Sequence, residues 1–205
     1  LKIKNGDFYP AWVWCRFMCL LFFIPVKVVG REENVRKDKN YIFVANHQGM
    51  FDIFLLYAFI NKNFKWMMKD SLRKVPLVGV ACYKTGHIFV NRTTPQKDIF
   101  RKAQKIIKSG LSMSIFAEGT RSDNGKLGRF KKGAFVVANL TQTEIVPIAI
   151  DGAYDILPKN CFFAHWSPVT LTFHKPIECQ GRGSENVDYL LEETRSVIAK
   201  TLGEE

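Results

Sequence analysis

What this sequence lacks narrows its chemistry before any motif is read. It has no Cys-x-x-Cys pair: its five cysteines, Cys15, Cys19, Cys82, Cys161 and Cys179, are odd in number and scattered. Zinc sites and disulfide frameworks need paired, regularly spaced thiols. Neither is indicated, and reduced thiols facing the cytoplasm fit best. No low-complexity tract, internal repeat or long linker interrupts the 205 residues, a length that suits one domain with its own core. Acidic residues are scarce, with 19 Asp and Glu against 30 Lys and Arg, for a formal net charge of +11. That excess favours a polyanionic neighbour, either nucleic acid or an anionic membrane surface. No nucleic-acid-binding module is recognisable, and the basic residues are not interleaved with aromatics in one stretch, so nucleic acid is not expected as a partner.

A long uncharged apolar run is also missing. Residues 8–29 read FYPAWVWCRFMCLLFFIPVKVV, and Arg16 interrupts them. The uncharged run from Phe17 to Val26 is ten residues. As a helix it reaches about 15 Å, half of a hydrocarbon core of roughly 30 Å. A cleaved signal peptide fits poorly, because no small-residue cleavage site follows. The expectation is a helix lying in the membrane interface, with Trp12 and Trp14 at headgroup depth and Arg16 and Lys27 flanking. A buried core helix is the alternative. Cys15 and Cys19 share one face of this helix as small hydrophobes. The sequence opens on Leu1 without a methionine, which leaves open whether residues precede it.

What is present is an alternation of apolar strands and helices. Residues 41–45, 64–68, 87–90, 112–117 and 145–150 read as strands, several of the doubly buried type. Residues 53–60 read as an almost wholly apolar helix. A helix over about 95–109 has Thr94 as N-cap, Pro95 at its first position and Gly110 as its stop. Its apolar face is Ile99, Phe100, Ala103, Ile106 and Ile107. Another over about 185–202 carries Val187, Leu190, Leu191, Val197, Ile198 and Leu202. Strands alternating with helices predict an α/β fold: a single domain with a largely parallel central sheet flanked by helices. To this is added the N-terminal amphipathic helical element over residues 1–30, with the main domain over 31–205.

Two loops carry the chemistry. Asn46-His47-Gln48-Gly49-Met50-Phe51-Asp52 lies between a strand and a helix, where an α/β sheet presents side chains at one edge. His47 and Asp52 are five apart and would diverge by about 140° on a continuous helix. They meet only if the chain turns between them, and Gly49 supplies a residue tolerant of unusual dihedrals. If they meet, the carboxylate holds the imidazole tautomer and leaves the other nitrogen as a base. Spacing alone leaves a second reading, in which Asp52 is an N-cap and His47 a loop residue. Metal ligation lacks two further ligands at suitable spacing.

The second loop is Phe116-Ala117-Glu118-Gly119-Thr120-Arg121-Ser122. Gly119 allows close backbone approach to a ligand, and Arg121 offers a planar fork of donors suited to phosphate oxygens. Glu118 is read as orienting Arg121, and a surface turn with a Glu118–Arg121 ion pair is the alternative. Lys126, Arg129, Lys131 and Lys132 follow, the last two expected to begin a helix. Arg92, ending Gly86-His87-Ile88-Phe89-Val90-Asn91-Arg92, and Lys69, just after a strand, are further candidates to clamp phosphate at the same edge. Solvated surface charge is the alternative for each. Val146-Pro147-Ile148-Ala149-Ile150 is expected to shape the floor of the site.

Taken in order, NHQGMFD, GHIFVNR, FAEGTRS and VPIAI resemble the blocks of the 1-acylglycerol-3-phosphate acyltransferase family. They span about residues 46–150. The third block departs from the commoner form, which has Pro where this chain has Ala117. The resemblance implies roles residue by residue: His47 and Asp52 as the catalytic pair of the HX4D motif, and Gly119, Thr120 and Arg121, with Glu118 among them, as the block that binds glycerol phosphate. Arg92 is implied at the basic end of the second block, and Lys69 as a phosphate-binding lysine. It implies an acyl group moved from acyl-CoA or an acyl carrier protein to the sn-2 hydroxyl of lysophosphatidic acid. No metal or tightly bound cofactor is implied, and the enzyme would be seated on the cytoplasmic face of an anionic membrane by its N-terminal helix. A relative using another acceptor, such as glycerol-3-phosphate, another lysophospholipid or an amino-acid lipid, is the main alternative. A protein that only binds phospholipid headgroups is a weaker one, since it gives His47 and Asp52 no purpose.

Overall fold

In the computed structural model, residues 8–91, 97–159, 161 and 163–204 are described. Seven strands form one sheet in the order β1-β7-β6-β2-β5-β3-β4. They are β1 (Val26–Val29), β2 (Ile42–Ala45), β3 (Phe64–Lys69), β4 (Ile88–Val90), β5 (Ser112–Phe116), β6 (Ile145–Asp151) and β7 (Val169–Phe173). Every pairing is parallel except β6 with β7. The expected sheet is therefore present. Two of its strands, β1 and β7, were not expected: Val26–Val29 is masked by the apolar run before it, whereas Val169–Phe173 carries the strict apolar–threonine alternation of a half-buried strand.

Period two divides the sheet between two cores. Along β2, Phe43 and Ala45 face one apolar cluster while Ile42 and Val44 face the other, and all four are fully buried. The first cluster is covered by α1 (Phe8–Leu21) and α3 (Asp52–Phe59), and the short α2 (Arg31–Asn34) lies between β1 and β2 in the chain. The second is covered by α5 (Lys97–Lys108), α6 (Gly133–Thr141) and α8 (Ser184–Leu202). The expected stripe of α5 is the one that packs, with Ile99 and Ala103 buried and Phe100, Ile106 and Ile107 partly so. Thr94, Pro95 and Arg92 lie outside the described residues. After β3 come a 3-10 turn (Asp70–Lys74) and α4 (Val78–Lys84), and after β6 the single turn α7 (Ala153–Ile156).

Helix α1 buries Phe8, Cys15 and Cys19 but leaves Tyr9, Val13, Trp14, Phe17, Leu20 and Leu21 exposed. It is apolar on both faces instead of divided into apolar and polar halves. Arg16 does not reach away from the protein: its guanidinium donates to the Ala58 carbonyl at the end of α3, 3.2 Å away, and lies over Trp12 and Phe59. Among the described residues, no helix is long and apolar enough to cross a membrane.

Candidate active site

The parallel strands bring their carboxyl ends to one edge. Ala45, the last residue of β2, is level with Phe116 on β5 and Ile148 on β6. The chain leaves β2 and β5 at this edge as residues 46–51 and 117–132, the two loops that carry the sequence motifs.

The first loop is fastened by the side chains on either side of His47. The Asn46 amide donates to the Ile150 carbonyl at 2.9 Å and accepts from the Ile150 N–H at 2.8 Å, prolonging the β2–β6 ladder by one step. Gln48 accepts from the Ala153 and Tyr154 amides at 3.0 and 3.3 Å and donates to the Gly125 carbonyl at 3.2 Å. With both neighbours held, His47 has little backbone freedom. The neighbouring Gly49 is needed for space: a Cβ there would stand 2.6 Å from the Leu157 carbonyl oxygen. Its φ is not positive, so the expected tolerance of unusual dihedrals is not what the site uses.

The chain turns as His47 and Asp52 require. Nδ1 of His47 lies 2.7 Å from Oδ2 of Asp52, and the same oxygen accepts from the Gly49 amide at 2.9 Å. Asp52 is fully buried, whereas the His47 side chain keeps about an eighth of its surface open (13 %). A carboxylate can only accept, so Nδ1 is the donor and, in the neutral imidazole, Nε2 carries the lone pair. Asp52 is the first residue of α3, with Phe51 in the cap position, so it is not merely an N-cap. The helix amides there favour its negative charge. Its other oxygen, Oδ1, is buried without a hydrogen-bond partner among the described residues.

The second loop is tied to the first. Both oxygens of Glu118 are taken by backbone amides, Oε1 by His47 at 2.8 Å and Oε2 by Gly128 at 2.9 Å. Glu118 therefore does not orient Arg121, as the sequence suggested, but staples the two loops together. Burial pushes its carboxyl above the usual range, and the two amide hydrogen bonds oppose the shift. The Ser122 amide donates to the His47 carbonyl at 2.8 Å, a second staple. Gly119 adopts φ 71°, a left-handed conformation that glycine reaches without cost. Thr120 is exposed. Arg121 is half-buried, and its guanidinium makes no hydrogen bond or ion pair among the described residues. One residue past Arg121, the chain is already bonded to His47.

An aromatic column stands beneath the imidazole. The ring of Phe116 stacks on His47 at 3.8 Å between centroids and 6° from parallel, and Trp66 stacks on Phe116 at 5.1 Å. Phe116 heads the second motif, yet nothing in its spacing marks it as a partner of His47. Asn46 and Gln48 were likewise hidden inside the first motif.

The remaining candidates are less central. Lys69 ends β3, exposed at the carboxyl edge and level with Val90 of β4. Strand alternation groups Lys69 with Met67, which packs on the α5 side, whereas Trp66 packs on the side of His47. Lys132 pairs with Asp188 and caps α6, which begins at Gly133, just after the two lysines expected to open it. Among the described residues, no group of three or more His, Cys, Asp or Glu side chains could hold a metal ion.

A histidine–carboxylate pair thus stands at the carboxyl edge of a largely parallel α/β sheet, beside a loop whose arginine is unpaired among the described residues. Residues 26–151 match the Acyltransferase family. The chain is 35% identical over 183 residues to a chloroplastic 1-acyl-sn-glycerol-3-phosphate acyltransferase of Arabidopsis thaliana, covering 88% of this chain and 50% of that one. It is 31% identical over 178 residues to the 1-acyl-sn-glycerol-3-phosphate acyltransferase of Borreliella burgdorferi, covering 85% and 71%. The crystal structure of the 1-acyl-sn-glycerophosphate acyltransferase of Thermotoga maritima superposes with a TM-score of 0.81 at 29% identity, covering 96% of this chain and 79% of that chain. The chain belongs to the 1-acyl-sn-glycerol-3-phosphate acyltransferase family. It spans about half the length of the chloroplastic Arabidopsis thaliana and Brassica napus relatives and of the Chlamydomonas reinhardtii relative.

Proposed function

We propose that this chain transfers a fatty acyl group from a thioester, acyl-CoA or acyl carrier protein, to the sn-2 hydroxyl of lysophosphatidic acid, giving phosphatidic acid. The observation that carries this reading is the 2.7 Å contact between His47 Nδ1 and Asp52, on a loop bonded through His47 to the loop of Arg121.

Nε2 of His47 takes the proton of the acceptor hydroxyl as its oxygen attacks the thioester carbonyl. Asp52 holds the ring and stabilises the imidazolium that forms. The thiolate that departs has a conjugate acid of pKa about 8.5 on the cysteine scale, so it leaves without a covalent acyl-enzyme. The oxyanion needs donors. The amides of His47 and Gly49 are already engaged by Glu118 and Asp52, so the donors lie elsewhere in the site.

Arg121 supplies a fork of donors for the acceptor phosphate, with Arg92 as a further cation and Lys69, at the same edge but grouped with the other face of the sheet, adding positive charge at longer range. Gly119 and Thr120 shape the loop around it. The exposed apolar face of α1, with Trp14, Phe17 and Leu20, rests in the interface of an anionic membrane and presents the site to its lipid substrate.

The test is an acceptor panel with radiolabelled acyl-CoA and purified protein in liposomes. Transfer to lysophosphatidate that exceeds transfer to glycerol-3-phosphate and other lysophospholipids supports the reading. Preference for another acceptor overturns the substrate assignment, and absence of transfer to any of them overturns the activity.

A further inference from the structure

Residues 73–83 form an apolar element that packs on almost nothing. Within α4 only Gly79 is buried. Leu77 is 86 % exposed, and Val75, Val78, Val80 and Tyr83 are exposed with it. Five large apolar side chains on eleven residues are an unusual load to leave in water, each forgoing the gain of burial.

The backbone makes the exposure costly as well. Leu77 adopts φ 62° and ψ −52°, and the Val78 amide donates to the Pro76 carbonyl at 2.7 Å. This is the γ-turn of positive φ, rare and strained for any residue with a side chain. The chain is folded tightly around it: the Gly79 amide donates to the Val75 carbonyl at 2.8 Å, and a Cβ on Gly79 would stand 2.1 Å from the Arg73 carbonyl oxygen. Strain that projects a leucine into solvent gains nothing from the fold, so its return must come from something outside the chain.

The charges around the tip indicate what that is. Arg73, Lys74 and Lys84 flank it against one carboxylate, Asp70, which is already bridged to Arg73 at 3.5 Å. The Arg73 guanidinium lies over the rings of Tyr83 and Phe89, held at the margin of the apolar surface. An apolar tip ringed by cations matches the two layers of an anionic bilayer, acyl chains beneath phosphate headgroups. We infer that the Pro76–Leu77 turn, with the outer face of α4, inserts into an anionic lipid surface as a membrane contact separate from α1. The element follows Lys69 directly, so its insertion brings the carboxyl edge bearing His47 to the leaflet.

Leu77→Gly tests this, because it removes the side chain while glycine accepts the positive φ without strain. Binding is read by co-sedimentation with vesicles of phosphatidylcholine and phosphatidylglycerol, and folding by thermal melting. The expected result is binding weakened by at least about fivefold with a melting temperature unchanged or raised. Lys74→Glu is expected to weaken binding to the mixed vesicles but not the weaker binding to phosphatidylcholine alone. Unchanged vesicle binding of Leu77→Gly overturns the inference. So does a change from dimer to monomer with vesicle binding intact, which would make a second copy the occupant. The readout needs no turnover, so failure of the acyltransferase reading leaves this result standing, and the reverse also holds.

Discussion

The imidazole of His47 lies flat on the ring of Phe116, 3.8 Å between centroids and 6° from parallel. Asp52 meets the same ring edge-on at Nδ1, 2.7 Å away. The histidine is thus fixed in two directions, by a hydrogen bond in its plane and by a π-face beneath it. The cation formed during proton transfer would rest on the negative face of the phenylalanine, an interaction of about 0.5–2 kcal/mol. Phe116→Leu is therefore expected to lower kcat by about threefold to thirtyfold, with both KM values nearly unchanged, and Phe116→Tyr to retain most of the rate. Steady-state kinetics on purified variants checks this. Equal losses in Leu and Tyr variants would assign the ring to packing alone.

His47→Ala is expected to abolish acyl transfer while leaving the circular dichroism spectrum and vesicle binding intact. Asp52→Asn keeps the shape but offers an amide where a carboxylate held the tautomer. By analogy with other histidine–carboxylate pairs, kcat is expected to fall by about 10²–10⁴. Normal turnover in His47→Ala would remove the assignment of the base.

Arg121→Ala is expected to raise KM for the lysophospholipid by tenfold or more, in the range of about 1.5–3 kcal/mol for a charged hydrogen bond, with KM for the thioester little changed. Arg121→Lys should recover part of the loss, since lysine supplies charge without the fork. An unaltered dependence on lysophospholipid concentration would exclude Arg121 from the phosphate site.

Gly128→Ala tests the staple between the loops. A Cβ there would stand 2.5 Å from Oε2 of Glu118, displacing the carboxylate from the His47 amide. A fall in kcat of at least tenfold, in a protein that still melts cooperatively, is the expected outcome. Gly49→Ala, opposed by the Leu157 carbonyl at 2.6 Å, should lower both kcat and melting temperature.

The Glu118 carboxyl also predicts a pH dependence. Burial raises its folded-state pKa above the unfolded value, so the folded protein binds more protons between those two values. Its contribution to stability is greatest below the unfolded pKa of about 4.3 and is lost as pH rises through the folded pKa. Denaturant titrations of the parent and of Glu118→Gln across mildly acidic pH isolate this contribution. The parent should lose stability relative to the glutamine variant as pH rises through that window, and a constant difference would contradict the linkage.

The sequence by itself determined the chemistry available and most of the scaffold. The short apolar run of residues 41–45 and the helical stripe of Ile99, Phe100, Ala103, Ile106 and Ile107 depend on local geometry, so they could be read without a fold. The same holds for the histidine and the aspartate five residues apart, which only a turn could bring together. The tertiary structure decided what those groups touch. Val26–Val29 is an edge strand because Val169–Phe173, itself paired with β6, lies in register beside it, a partnership that the segment does not encode alone. Glu118 serves the His47 amide instead of Arg121 because β2 and β5 end level at one edge, 71 residues apart in the chain. Phe116 lies under His47 for the same reason. Hydrogen bonds and ring stacking act over a few ångströms in space, and distance along the chain says nothing of which residues the sheet will bring within that reach.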